Sequence, residues 1–471
     1  RQRQMCIRDR AQAVGQDSIA LGTNAKADGI GATAIGQYNT ASGQNSLAFG
    51  GGYNKDQNGN TASGVASVAF GEGTQAIAEG TLAFGENTQA GSTEKDNQGN
   101  LLGQNAVAFG NGTKATGGRS LAFGERTVAS ANDATAFGNE SIASKTGATA
   151  FGNKNQATGQ YATAWGGGDK TVDNGNGTTS KIGTVASGLY ATAFGERTEA
   201  RGESATAFGS DSIASGKDSL AFGTGSTASG NNSLAGLGGT ATTANSIALG
   251  KNTKANNKDN AVSVAIGENA EASGARSLAI GFGVKGKVTE GGMEKDDTTL
   301  TQTTASGESA VSIGTDTQAA GQHSIAFGSH TEATKDSSLA IGYDTHATEA
   351  SAVAIGSGTK VNRGYGVAIG LSALAGIDES DPDSKRATSF DGAQTVALGY
   401  YARATATNAA ALGAAASANV NGAVALGYGS ATTRAAGNKV NGVEQKAYLK
   451  PASVDSTNNS TWTSTAGAVS V

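Results

Sequence analysis

The chain has 471 residues, of which 72 are glycine, two are proline and one is cysteine; 15 % are charged and the formal net charge is -5. Too few prolines and no three-residue glycine period exclude a collagen helix, and the lack of a basic stripe argues against a nucleic-acid partner. The lone Cys6 forms no internal disulfide and starts no multi-cysteine metal site, and no stretch reaches the roughly 18–20 apolar residues of a membrane helix.

The opening segment, residues 1–10, is RQRQMCIRDR, with four arginines in ten positions. It reads as non-native sequence and is set apart from the fold. From residue 11 onward an apolar-Ala-apolar-Gly tetrad recurs, as IALG at 19–22, TAIG at 33–36 and LAFG at 47–50. Counting the irregular LAGLG at 234–238 there are 25 copies up to residue 427, and 16 of the 24 spacings are 14 residues. A period of this length marks a repeat architecture in which each unit is stable only against its neighbours.

A full unit reads [ST]-x-A-x-G-x-x-S-φ-A-φ-G, as at Thr40 to Gly50. Large apolar residues stand three and one positions before the tetrad glycine, which is the two-residue alternation of a strand. Ala41 and Gly43 mark a second short strand. Each unit is then one coil of two strands and two tight corners, where glycine supplies positive φ. Coils stacked about 4.8 Å apart would give a rod of roughly 120 Å.

Eleven of the thirteen phenylalanines stand just before the tetrad glycine. Leu47 with Phe49, Leu82 with Phe84, Leu121 with Phe123, Ile325 with Phe327 and Val353 with Ile355 are expected as the repeated core, and Trp165 takes the same slot. The tetrad alanine is expected on the opposite face, as a methyl ladder broken at Ser312 and turned toward sister subunits. Such an apolar row implies self-association.

Longer spacings follow Gly50, Gly85, Gly166, Gly281 and Gly370, and place polar edge insertions at 51–60, 86–97, 167–184, 282–304 and 371–390, all entering at one corner. Their turn-rich sequences suit hairpins or loops. The last has the densest charge, with Asp378, Glu379, Asp381, Asp383, Lys385 and Arg386, and these six are the ligand-binding candidates. They lack the spacing of a calcium loop. Residues 428–471 interrupt the final coil, and the tetrad resumes at Ala468-Val469-Ser470-Val471.

The histidines, His323, His330 and His346, occupy different coil positions and are expected at the surface. No HExxH, GxSxG or Walker A loop is present, so no catalytic residue, cofactor or metal is expected. Glu125-Arg126 and Glu196-Arg197, in FGERT, are expected at exposed turns as solubilising charge.

NSLAFG, DSLAFG, NSIALG and HSIAFG, each after an x-A-x-G half-coil, resemble the head repeats of trimeric autotransporter adhesins of the YadA type. The resemblance covers residues 11–427, and STWTSTAGAVSV at 460–471 is similar to the segment that leads into the neck. It implies an all-β, left-handed parallel β-roll, a homotrimer, and a bacterial cell-surface location anchored in the outer membrane through a C-terminal region outside this chain. The implied function is a non-enzymatic adhesin head that binds host matrix, a glycan, host cells or other bacteria through repeated weak contacts. Alternatives are a spacer or coat rod with no ligand, and a carbohydrate-active solenoid, which would need carboxylates clustered on neighbouring coils.

Overall fold

A computed structural model describes the chain apart from residues 1–4, 8–9, 53–58, 96, 174–178, 258, 260, 284, 291–292, 301, 378–393, 433–438, 441–442, 445–468 and 471. The described elements are β-strands joined by turns. Contacts divide the chain into two units, Arg1–Leu237 and Gly238–Val471, and the same coil builds both.

In the first unit, Thr40–Ala41 and Leu47–Gly50 form one coil. They pair in parallel with Thr61–Ala62 and Val68–Glu72 of the next. Backbone bonds run coil to coil, as from Thr40 N–H to Asn60 C=O (2.8 Å) and from Leu47 N–H to Ser67 C=O (2.9 Å). Tetrad lies on tetrad, so that Leu82, Ala83, Phe84 and Gly85 face Val107, Ala108, Phe109 and Gly110. The second unit repeats this, with Ile325, Ala326, Phe327 and Gly328 on Leu339, Ala340, Ile341 and Gly342. Each unit is a parallel β-solenoid.

The corners follow from the motif. Ser46 ends the second corner by donating its hydroxyl to Gly43 C=O at 2.7 Å, and Ser67, Ser277 and Ser324 do the same to Gly64, Gly274 and Gly321. This satisfies a buried hydroxyl and a turn carbonyl together. At the first corner, Gly124 has φ +131°, and a Cβ there would lie 1.7 Å from Gly138 C=O. Only glycine fits.

The interior is the reverse of the one expected. The tetrad alanines Ala48, Ala83, Ala122, Ala326 and Ala354 are fully buried, as are first-strand alanines such as Ala41 and Ala76 and the small residues just before the tetrads, such as Ser46, Ser67 and Ala134. The expected core residues point outward: Phe49 is 38 %, Leu121 38 %, Phe123 37 %, Ile325 41 % and Phe327 51 % exposed. Leu47, Leu82, Phe84, Val353 and Ile355 are half-buried on that same outer face. The cause is cross-section. Two strands joined by corners of a few residues bring their inner faces so close that at interior packing density the slots hold methyl and hydroxyl groups, with Val361 between Ala347 and Ala375 as a larger exception. Ser312 fits the slot because its hydroxyl bonds Thr317 (2.9 Å to the carbonyl oxygen).

Insertions also depart from expectation. After Gly50, Gly166 and Gly281 the extra residues precede the first strand of the coil, Thr61–Ala62, Val185–Ala186 or Thr304–Ala305. After Gly85 and Gly370 they do not: Gln89–Ala90 and Leu374–Ala375 are already first strands, in register with Gln75–Ala76 and Lys360–Val361. Ala90 and Ala375 fill the interior slot at once, so the detour leaves from the second corner, and the first strand of the coil lies inside the expected ranges 86–97 and 371–390. Lys170–Asp173 pairs with Thr179–Ile182, and Lys285–Glu290 with Met293–Leu300, as antiparallel hairpins.

At one end Met5–Ile7 pairs with Ile19–Leu21 in tetrad register, although its segment was set apart in the sequence. Val469 and Ser470 lie on Val424 and Ala425, the register of a resumed tetrad.

Candidate functional site

Two outer faces flank each coil, and they differ in chemistry. The face of the tetrad strand is apolar. In the first unit it carries a continuous stack of aromatic rings from Phe49 to Phe208, with centroids closest between Phe70 and Phe84 (4.4 Å) and widest between Trp165 and Phe194 (5.8 Å). Most neighbours are nearly coplanar, as Phe123 and Phe137 are at 3°. Parallel in-register pairing enforces this, because each ring repeats one coil below itself. Trp165 sits in the stack, tilted 33° from Phe151 and 47 % exposed, so it is no core residue.

The outer face of the first strand is mostly polar, interrupted in the first unit by Val128, Ile142, Val185 and Ile213. Lys26, Thr40, Thr61, Gln75, Gln89 and Lys114 follow one another there, each beside a buried alanine. One strand parity therefore yields a buried methyl row with an apolar outer face on one sheet and a mostly polar outer face on the other.

Charges are organised by coil. Arg119 holds Asp133 of the next coil through two 2.7 Å bonds, and Arg197 holds Asp211 through two at 2.8 Å. Arg126 bridges Glu125 and Glu140. The Arg119 hydrogen bond holds the Asp133 carboxyl below its ordinary range, and Arg197 does the same to Asp211. The FGERT charges thus tie successive coils together, beyond the solubilising role expected of them, although exposed pairs contribute little each. His330 meets Asp316 at 2.8 Å, and His346 meets Glu332 at 3.1 Å and Asp344 at 3.0 Å.

Sequence reasoning missed two devices at the insertions. Asn39 and Asn155 take a corner slot usually held by threonine and reach farther. Asn155 donates to Gly166 C=O (3.0 Å) and accepts from Thr184 N–H (2.9 Å), which joins the two ends of the 167–184 insertion. Asn39 spans 51–60 likewise, bonding Gly50 C=O and Asn60 N–H, both at 2.9 Å. Asn60 makes the same pair of bonds, to Gly71 C=O and from Thr74 N–H, ahead of an ordinary 14-residue spacing, so the asparagine is a corner device that also serves at the insertions. The second device is Glu199, a carboxylate 1 % exposed, which ion-pairs with Lys170 of the hairpin and with Arg201. It fastens the hairpin base to the coil stack instead of leaving it free at the edge.

The candidate cluster Asp378, Glu379, Asp381, Asp383, Lys385 and Arg386 lies outside the described residues. Among the described residues no three His, Cys, Asp or Glu side chains converge as a metal site.

A family model described as the YadA head domain repeat matches residues 13–52, 62–90, 102–141, 143–168, 186–212, 214–235, 263–283, 305–331, 333–359 and 391–430, well over half of the chain. The chain belongs to the YadA head family. No curated protein matches it. YadA-type heads are adhesins of a non-enzymatic family whose members form homotrimers and are anchored at the outer membrane. The tetrad that the YadA head model matches is the one whose alanine is buried and whose large residues face outward.

Proposed function

We propose that the chain is a bacterial adhesin head. Three copies pack their apolar tetrad faces together, and the assembly, held at the cell surface, turns its polar first-strand faces and edge insertions toward host matrix, glycan, host cells or other bacteria. The observation that supports this most is the contrast between the two outer faces. Leucine, isoleucine and phenylalanine repeated half-buried or exposed on one side form a patch that monomers seldom leave in water, whereas the other side is mostly polar. The 371–390 insertion, with Asp378 to Arg386, is a proposed contact. Repetition across a multivalent assembly converts weak contacts into avidity.

The test is a panel of matrix proteins, glycans and cells, probed with the full chain and with chains lacking 282–304 or 371–390. Binding lost with an insertion places the contact there, and binding retained by both places it on the coil faces. No binding to any member would favour a spacer rod.

A further inference from the structure

The tetrad face of the first unit is not uniform. Three positions before the tetrad glycine, Leu121 is followed coil by coil by Thr135, Thr149, Thr163, Thr192 and Thr206, and then by Leu220. In every one of these five coils the neighbouring outward residue is Phe or Trp. The threonines are partly or fully exposed on the outer side. None of the five hydroxyls is hydrogen-bonded by the described residues, whereas Ser46, Ser67, Ser277 and Ser324, just before their tetrads, bond turn carbonyls.

Resting on the reading that copies of this chain cover that face, we infer that the five threonines set the register in which the copies meet. A hydroxyl carried into an apolar seam must find a partner, and leaving it unpaired costs more than the bond contributes. Copies aligned coil for coil bring threonine to threonine in five successive layers, so the hydroxyls serve one another. A slip of one coil sets Thr135 or Thr206 against leucine and strands a hydroxyl at each edge of the band; a slip of three strands most of them. Polar residues fix register in the same way when they interrupt an otherwise apolar coiled-coil seam. The band takes as partner a second copy of this chain, and discriminates against a head whose corresponding coils carry leucine or valine.

The experiment uses the full chain with Cys6→Ser, carrying Thr135→Cys in one sample and Thr192→Cys in another of different tag length. These positions are three coil steps apart, about 14 Å at strand spacing. After unfolding and refolding the mixed samples, a thiol crosslinker of shorter reach is added. Aligned copies give like-to-like products and no mixed product. Replacing the remaining band threonines by valine is expected to raise the mixed product at least tenfold, while serine at those positions keeps it absent and circular dichroism is unchanged for both. Mixed product already present in the threonine chain, or still absent in the valine chain, would overturn the inference. A chain whose mass is that of a monomer would instead remove the self-association reading itself.

Discussion

Replacing Ala122 by leucine, compared with replacing Phe123 by alanine, separates the observed interior from its reverse. Ala122 is fully buried and stacked between Ala108 and Ala136, which are buried too. A leucine brings three further carbons into a slot that recurs in both adjacent coils. The burial of each methylene, favourable by about 0.8 kcal/mol where there is room, gives way to overpacking at about 1–3 kcal/mol or more. Phe123 is 37 % exposed, with neighbouring ring centroids at 4.7 and 4.9 Å. Its loss removes two stacking contacts of about 0.5–1.5 kcal/mol each but opens no cavity within the coil; a phenylalanine enclosed in a core would cost about 3–5 kcal/mol. A stack of repeats does not unfold as two states, so the assay is amide hydrogen exchange across residues 107–139, beside the mass in solution. Expected are lost protection in A122L, and in F123A near-normal coil protection with weaker self-association. A neutral A122L beside an F123A that loses its coils would refute the reasoning.

Ala66 has φ +53°, a left-handed conformation that disfavours a Cβ, so Ala66→Gly is expected to stabilise its coil by about 0.5–1 kcal/mol, read as slower exchange at residues 64–68. Lys170→Ala leaves the buried Glu199 with Arg201 alone; protection should fall across Lys170–Asp173 while Thr163–Gly167 keeps its own. Asp133 and Asp211 are held below their ordinary range by Arg119 and Arg197. A carboxyl lowered in the folded state contributes stability above its unfolded value, near pH 3.9, and loses it as pH falls through the folded value. Coil-to-coil protection at 119–133 and 197–211 is therefore expected to drop below about pH 4, and Asp211→Asn is expected to remove that acid dependence at its own site.

Much of this was legible in the sequence because a stacked coil repeats its chemistry. The period gave parallel pairing, the corner glycines and the resumed tetrad at Val469. Strand parity, however, names two faces without saying which one turns inward. Small first-strand residues facing large tetrad residues would suit a thin core with the large side chains inside, whereas the closeness of the two sheets leaves room for little beyond methyl and hydroxyl groups. The sign was present in the repeats themselves. The slot of Ala48, Ala83 and Ala122 barely varies, while that of Phe49, Trp165 and Ile355 accepts many shapes, as an outer face does. The insertion corners after Gly85 and Gly370 are marked by Ala90 and Ala375, which resume the interior slot ahead of the extra residues, and not by the glycine that returns in register after them. Glu199 was not legible, since its partner Lys170 comes from a hairpin whose path back to the stack depends on tertiary contact.

The account turns on the tetrad face being covered by further copies, and the mass of the full chain in solution, measured by sedimentation at micromolar concentration, tests it most directly. Three times 46.2 kDa is the expected value. A stable, folded species of 46.2 kDa, with Trp165 emitting as a water-exposed indole, would contradict it.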